Sequence, residues 1–191
     1  WEKVWKSVHN PLALESTKSK IWEQIHLFDC NTYSYNMWHQ NTQHCPLCFL
    51  IPESKYHLIL HCPTTKYLWQ GLAPYLQNLR YKHITNEEMA FGMEGNTANI
   101  LLRNWLSFLL RECIIDQERI AYKNQLGLLN ITDIQCTFNA RLKREILQSY
   151  EYHDNKGTLH LFRHTYRANG VFLQYDDQIQ HYTLPKIFDV S

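Results

Sequence analysis

Residues 45–62 read CPLCFLIPESKYHLILHC, and this stretch decides how the rest of the chain is interpreted. It contains a C-x2-C-x8-H-x4-C pattern made by Cys45, Cys48, His57 and Cys62. A structural Zn²⁺ ion takes four sulfur or nitrogen ligands from the protein, whereas a catalytic one keeps a position for water. A complete Cys3His set therefore predicts one structural zinc ion, which holds a short loop that has little core of its own.

The identity of the histidine ligand stays open at this point. His61 follows His57 by four residues, so both imidazoles lie on one face of a helical turn, and His61 could replace a ligand. His44, next to Cys45, is a further candidate. We prefer His57 and expect His61 to orient a ligand or to pack at the surface. The alternative without a metal is that Cys45 and Cys48 form a reduced pair on a turn.

Three further cysteines are isolated along the chain. Thiols scattered singly among apolar neighbours in a non-secreted protein are expected to be reduced. We therefore expect small core residues at Cys30, Cys113 and Cys136.

The bulk composition is that of a globular protein. Of 191 residues, 45% are hydrophobic and 14% aromatic, enough for one large or two small domains. A net charge of +1 gives no global basic field, so a nucleic-acid partner would need a local patch. The longest apolar run, 100–115, is interrupted by Arg103 and Arg111, which indicates a helix with one buried face and no membrane partner. Because the chain starts at Trp1 without a leader, we expect it to be a piece of a longer protein.

Helical periodicity dominates the sequence. The fold class that it predicts is mainly α, with a zinc-binding helical domain over 1–90 and a helical domain over 91–191. Residues 171–184 predict two short strands and a C-terminal β-hairpin. Helices are predicted over 1–8, 18–28, 64–79, 99–124, 132–153 and 158–170.

Local signals refine two of these helices. Gly71 and Pro74 are expected to interrupt the helix over 64–79, and Pro63 is expected either in its first turn or at a kink where the preceding helix ends. Thr132 or Asp133 is the expected cap of the helix that follows.

The segment 141–170 is locally basic, with six Lys or Arg residues against three acids. Cationic side chains bind phosphates, and exposed aromatic rings stack on unpaired bases. Solvated helix faces often carry the same charges without binding nucleic acid. The residues predicted to contact nucleic acid lie here and around the zinc segment: Lys18, Lys20, Lys55, Lys66, Arg141, Lys143, Arg144, Arg163 and Arg167.

A family pattern runs through the zinc segment: Trp22, CPLC at 45–48, Glu53, HLILHCP at 57–63 and Trp69. In this order the residues resemble the zinc-binding (CCHC) segment near the C terminus of reverse transcriptases encoded by non-LTR, LINE-type retrotransposons.

The resemblance is specific over residues 18–72 and weaker beyond. It implies a segment that helps seat template RNA or target DNA during target-primed reverse transcription. Its partners would be RNA or DNA and the remainder of the reverse transcriptase polypeptide, with no small-molecule substrate. It also implies action in the nucleus and assembly of a ribonucleoprotein in the cytoplasm.

No catalytic set is recognisable. Some members of the family carry a nuclease, which needs clustered carboxylates for Mg²⁺ and usually a Pro-Asp pair, and the chain has no Pro-Asp. Asp176 and Asp177 would point to opposite faces of a strand. Glu112, Asp116 and Glu118 are expected to form exposed ion pairs with neighbouring arginines. We therefore expect no enzymatic activity of this segment.

The alternative function is a structural docking module that packs on the polymerase domain without touching nucleic acid. Such a module should expose a contiguous apolar patch, whereas a nucleic-acid-binding segment should expose a basic surface. The informative side chains are Trp1, Trp5, Trp38 and Trp69.

Overall fold

The protein is mainly helical, as predicted. The computed structural model describes residues 2, 4, 6, 9–13, 15–26, 44–50, 56–78, 85–123, 129–167, 172–176, 181–183 and 187–188. Within these ranges the elements are α1 (Glu15–His26), a π-helical turn (His57–His61), α2 (Pro63–Asn78), α3 (Asn86–Phe91), α4 (Ala98–Lys123), α5 (Ile131–Asn155), α6 (Leu159–Arg167), β1 (Gln174–Asp176) and β2 (His181–Thr183).

Helix α4 lies at the centre of the fold. Helices α1, α3, α5 and α6 pack against it, and every side chain from 102 to 115 is buried. One buried face was predicted, and that prediction is wrong because the polar side chains of α4 find partners inside. Asn104 accepts from the backbone N–H of Met93 at 2.7 Å and donates to its carbonyl at 2.8 Å. Arg111 donates to the carbonyl of Ala90, and burial lowers its pKa to about 10, so the guanidinium stays charged at neutral pH.

The short helix α3 was not predicted. It begins with a capping box in which Thr85 Oγ1 accepts from the Glu88 N–H at 3.2 Å and Glu88 accepts from the Thr85 N–H at 2.9 Å. Glu88 also pairs with the buried Arg103 at 3.1 Å. The helix ends at Phe91, and the capping residue Gly92 has a φ of 75°, which suits glycine. The T-x-x-E spacing was the signal for this helix.

Helix α2 begins at Pro63, the first of the two expected placements, because the first turn of a helix needs no donor there. The predicted interruption is wrong, since the helix continues through Gly71 and Pro74. Pro74 has no N–H to donate to the carbonyl of Gln70. Because both residues are exposed, water can donate a hydrogen bond to that carbonyl instead.

Helices α5 and α6 pack on each other across the turn at 156–158. The cap of α5 is Asn130, which accepts from the N–H of Thr132 at 3.0 Å, and not the predicted Thr132 or Asp133. Gly157, with a φ of 65°, turns the chain into α6. The buried face of α5 repeats every four residues through Ile134, Phe138, Leu142 and Ile146.

The predicted C-terminal hairpin is confirmed. Strands β1 and β2 pair antiparallel with Tyr175 opposite Tyr182.

Beyond the hairpin, Phe188 returns to the core between α2 and α5. Its ring packs edge-on against Phe138 with centroids 5.3 Å apart, and its carbonyl accepts from Asn139 Nδ2 at 2.8 Å. A Cβ added to Gly71 would lie 2.7 Å from Phe188 Cε1. The close approach of this ring therefore requires a glycine on α2.

One buried apolar cluster extends from Ala13 to Phe188 and includes residues of the segment 45–62, α2, α4, α5 and α6. The cluster crosses the predicted boundary between 1–90 and 91–191, and that division stays a prediction. Among the described helices, none is long and apolar enough to cross a membrane.

Candidate metal centre

The π-helical turn His57–His61 places a histidine beside the cysteines. Its defining hydrogen bond runs from the N–H of Cys62 to the carbonyl of His57, five residues back, at 2.7 Å. The widened turn brings these two residues to one side, whereas residues five apart diverge on an α-helix. The three central residues of the turn are buried, and Trp69 Nε1 donates to the carbonyl of Ile59 at 2.9 Å. Core packing therefore holds the turn in place.

The four predicted ligands converge on one point. Donor atoms of Cys45, Cys48, His57 and Cys62 all lie within 4.8 Å of one another. Cys48 Sγ is 3.2 Å from His57 Nε2, and the Sγ atoms of Cys45 and Cys62 are 3.8 Å apart. Two sulfurs of a tetrahedral site with bonds of about 2.3 Å are also about 3.8 Å apart, whereas a disulfide holds them at about 2.0 Å. These residues lie close enough to bind a metal ion, and the three cysteines form no disulfide.

Backbone hydrogen bonds fix the cysteine loop. The N–H of Phe49 donates to the carbonyl of Cys45 at 2.9 Å, which closes the turn around the first two sulfurs. Thr64 Oγ1 donates to the carbonyl of Leu47 at 3.2 Å, which ties the loop to the start of α2. The loop and α2 therefore present their sulfurs as one rigid unit.

The electrostatics of the centre favour a thiolate at Cys62. The hydrogen bond from Cys45 lowers the pKa of Cys62 and outweighs the opposing effect of burial, and the N–H groups of Thr65 and Thr64 lower it further. The same hydrogen bond, together with burial, raises the pKa of Cys45. Metals bind the thiolate form, so a cation between these sulfurs would favour deprotonation of both.

His61 and His44 lie outside the four-residue cluster found among the described residues. The ring of His61 packs against Tyr56, with centroids 4.7 Å apart, and His44 is exposed. The geometry therefore favours His57 as the histidine ligand.

No protein-family model, curated protein or solved structure matches the chain. Its residues and their geometry are therefore the basis for any functional inference.

Two of the predicted nucleic-acid contacts face inward. Lys20 Nζ lies 2.9 Å from Glu112 and 3.0 Å from Asp116, and Arg141 lies 2.7 Å and 3.1 Å from the same two carboxylates. Although burial alone lowers the pKa of Lys20, its hydrogen bonds to both acids raise it overall. The predicted exposed ion pairs are wrong for Glu112, whose side chain is 1% exposed, and for Glu118, which is also buried. Asp116 does pair with the exposed Arg119, at 4.0 Å. The packing of α1 and α5 against α4 encloses these charges.

Glu145 is a buried acid that the sequence did not single out. It accepts from Trp105 Nε1 at 2.8 Å and from Thr17 Oγ1 at 3.4 Å. Burial raises the pKa of Glu145, although the bond from Trp105 opposes this. In the sequence, the position of Glu145 beside Ile146, on the apolar face of α5, indicated that it would be buried.

The other predicted contacts are mostly exposed where they are described. Lys18 is the exception, because its side chain is 20% exposed and forms an ion pair with Glu15 at 2.6 Å, and Lys55 lies outside the described residues. No carboxylate in the described ranges lies within ion-pair distance of Lys66, Lys143, Arg144 or Arg167. The exposed predicted contacts are Lys66 on α2, Lys143 and Arg144 on α5, and Arg163 and Arg167 on α6.

The isolated cysteines and the tryptophans divide between core and surface. Cys113 is buried, as predicted, and burial raises its pKa to about 12. The core prediction for Cys136 is wrong, because it lies two residues from Phe138 and so on the opposite side of α5, where it is exposed. Trp69 is buried. Four side chains named in the sequence predictions lie outside the described residues: Cys30, Trp1, Trp5 and Trp38.

Proposed function

We propose that this chain is a zinc-stabilised, nucleic-acid-binding segment of a LINE-type reverse transcriptase, which helps seat template RNA or target DNA during target-primed reverse transcription. The resemblance over residues 18–72 supports the family. The observation that carries the nucleic-acid part is a set of exposed cations on α5 and α6 with no carboxylate of the described ranges within ion-pair distance, whereas Lys18, Lys20 and Arg141 are paired. Lys143, Arg144 and Arg167 are its members.

The metal in this proposal is Zn²⁺ in a structural role. Thiolates and imidazole suit zinc, whereas Mg²⁺ and Ca²⁺ prefer oxygen ligands. Four protein ligands complete a tetrahedron and leave no position for a reactive water. When bound, the ion would join the Cys45–Cys48 loop to the π-helical turn and to the start of α2.

The α5–α6 pair offers its cations to a phosphate backbone. Lys143 and Arg144 are neighbours on α5, opposite the buried face that begins at Ile134, and Arg167 lies in the last turn of α6. Each guanidinium or ammonium that contacts a phosphate releases condensed counterions, so binding should weaken steeply with salt.

The test is fluorescence anisotropy of a labelled RNA and a matched DNA duplex, titrated with the zinc-loaded chain at several salt concentrations. We expect binding whose logarithm falls linearly with that of the salt concentration, with a slope of about −0.7 to −0.9 per phosphate contacted. Arg144→Glu and Arg167→Glu should weaken binding and reduce the slope. Lys6→Glu is the matched control, because Lys6 is also exposed and the charge change is equal.

Arg141 is left out of the test set because its guanidinium is bound to Glu112, and reversing that charge would damage the core. No binding at low salt, or equal losses in Arg144→Glu and Lys6→Glu, would refute the proposal.

One observation favours the docking module as a second candidate. Trp22 on α1 and Ile120 on α4 are both nearly half exposed, and their sequence neighbours Glu23 and Arg119 form an ion pair at 3.8 Å between these two helices. Exposed apolar side chains on α1 and α4 would suit a neighbouring domain of the same polypeptide. For a docking module, Trp22→Ser should abolish association with the polymerase domain in a pull-down, while Arg144→Glu should leave that association unchanged.

A further inference from the structure

Phe49 follows the second cysteine of the metal centre in a backbone conformation that aromatic residues rarely adopt. Its φ is 58°, the only positive value for a non-glycine residue among the described residues. Glycine or asparagine would occupy this position with less strain. The residue is 46% exposed, so burial of its side chain offsets only part of the backbone strain. The requirements of the fold alone do not account for a phenylalanine here.

Other exposed side chains belong to the two backbone segments that carry the metal ligands. The N–H of Phe49 donates to the carbonyl of Cys45, and the N–H of Lys66 donates to that of Cys62 at 3.0 Å. Because the sulfurs of these two cysteines are 3.8 Å apart, and Thr64 Oγ1 donates to the carbonyl of Leu47, the backbones at Phe49 and Lys66 each lie one turn from the same centre. We call this the knuckle surface, defined by the exposed side chains of Phe49, Leu50, Lys66 and Tyr67.

Lys66 supplies positive charge to the knuckle surface. No carboxylate in the described ranges lies within ion-pair distance of it. Exposed rings in a positive environment complement a polyanion that has apolar faces to cover.

We infer that the knuckle surface binds single-stranded nucleic acid by stacking an unpaired base on Phe49, with Lys66 contacting a neighbouring phosphate. This inference rests on the proposed function and specifies its ligand as a strand with unpaired bases. Bases within a duplex are stacked on one another and hide the faces that an aromatic side chain needs. The Phe49 side chain is nearly half exposed, and binding gives this exposed ring a partner.

The test uses two labelled probes of equal length, an oligouridine and a strand of abasic sites with the same phosphates. With the zinc-loaded chain we expect oligouridine to bind about tenfold more tightly than the abasic strand. Phe49→Gly should bind both probes alike, and Phe49→Tyr should keep the preference because it keeps a ring. Glycine relieves the strained φ, so loss of the preference in this variant would not come from misfolding.

Phe49→Asn is a second variant without a ring, since asparagine also tolerates a left-handed backbone. Equal zinc content and thermal midpoints in all variants are the folding control. An oligouridine preference that survives in both Phe49→Gly and Phe49→Asn would overturn the inference and leave the proposed function intact. Binding of both probes without any preference in the wild-type chain would overturn it in the same way. A wild-type chain that binds neither probe at low salt would instead refute the proposed function itself.

Discussion

Replacing Arg141 by Met should destabilise the fold, although Arg144, the other arginine on α5, is dispensable for stability. The guanidinium of Arg141 lies 2.7 Å from the carboxylate of Glu112. The side chain of Glu112 is 1% exposed and that of Arg141 is 13% exposed. Removing one member of a buried pair leaves an uncompensated charge and costs about 3–5 kcal/mol. Lys20 still lies 2.9 Å from Glu112, but it is 36% exposed and its attraction is partly screened. We therefore expect the lower end, about 3 kcal/mol.

The assays are urea unfolding and thermal unfolding of the zinc-loaded chain, both monitored by tryptophan fluorescence. A loss of about 3 kcal/mol in the free energy of unfolding should lower the thermal midpoint by about 6–12 °C for a chain of this length. The double variant Glu112→Gln/Arg141→Met should recover most of the loss, because replacing both charges leaves no buried ion. Arg144→Met, an exposed control three residues along α5, should change stability by less than about 0.5 kcal/mol. A loss below about 1 kcal/mol in Arg141→Met, or a double variant as unstable as the sum of the singles, would show that Glu112 is solvated and refute the reasoning.

Three further predictions concern other parts of the fold. Cys62→Ser should reduce bound zinc from one ion per chain to well below one by atomic emission and lower the thermal midpoint; an unchanged zinc content would contradict the assigned ligand. Gly71→Ala should cost about 1–2 kcal/mol by forcing the Phe188 ring aside, and Phe188→Leu in the same chain should recover part of it. Glu145→Gln should keep the bond from Trp105 Nε1 and should stabilise the chain at neutral pH. Because burial raises the folded-state pKa of Glu145, the wild type loses stability as the pH rises from about 4.5 through that raised value, and the variant does not. The advantage of Glu145→Gln should therefore grow with pH in urea titrations, and a gap that is constant with pH would contradict the burial of the charge.

The metal centre was predictable because its ligands are close in sequence. Cys45 and Cys62 are separated by 17 residues, and the spacing alone restricts what they can bind. The π-helical turn that aligns His57 with Cys62 was not predictable, because the same sequence is compatible with an α-helical turn. Tertiary packing decides between the two kinds of turn.

The interior of the helical core was not predictable, because long-range packing decides it. Arg141 and Arg144 are the same residue type three positions apart on α5, yet one is bound to Glu112 and the other is exposed. Thr17 and Glu145 are hydrogen-bonded although 128 residues separate them in the sequence, and local periodicity cannot predict such a contact. By contrast, the helix that starts at Thr85 had a local signal, the capping box, which apolar periodicity does not detect.

The contact between Thr17 and Glu145 also bears on the order in which the chain folds during synthesis. The cysteine loop and the π-helical turn can close once Trp69 on α2 has left the ribosome, long before α5, because closing a short loop loses little entropy. Helix α1, made much earlier, must wait for α5 before its hydroxyl and Lys20 find their carboxylate partners. The nascent chain should therefore hold its metal while the polar side of α1 is still uncovered. Pulse-labelling hydrogen exchange on stalled chains would detect this order as protection of 57–62 before that of 15–26.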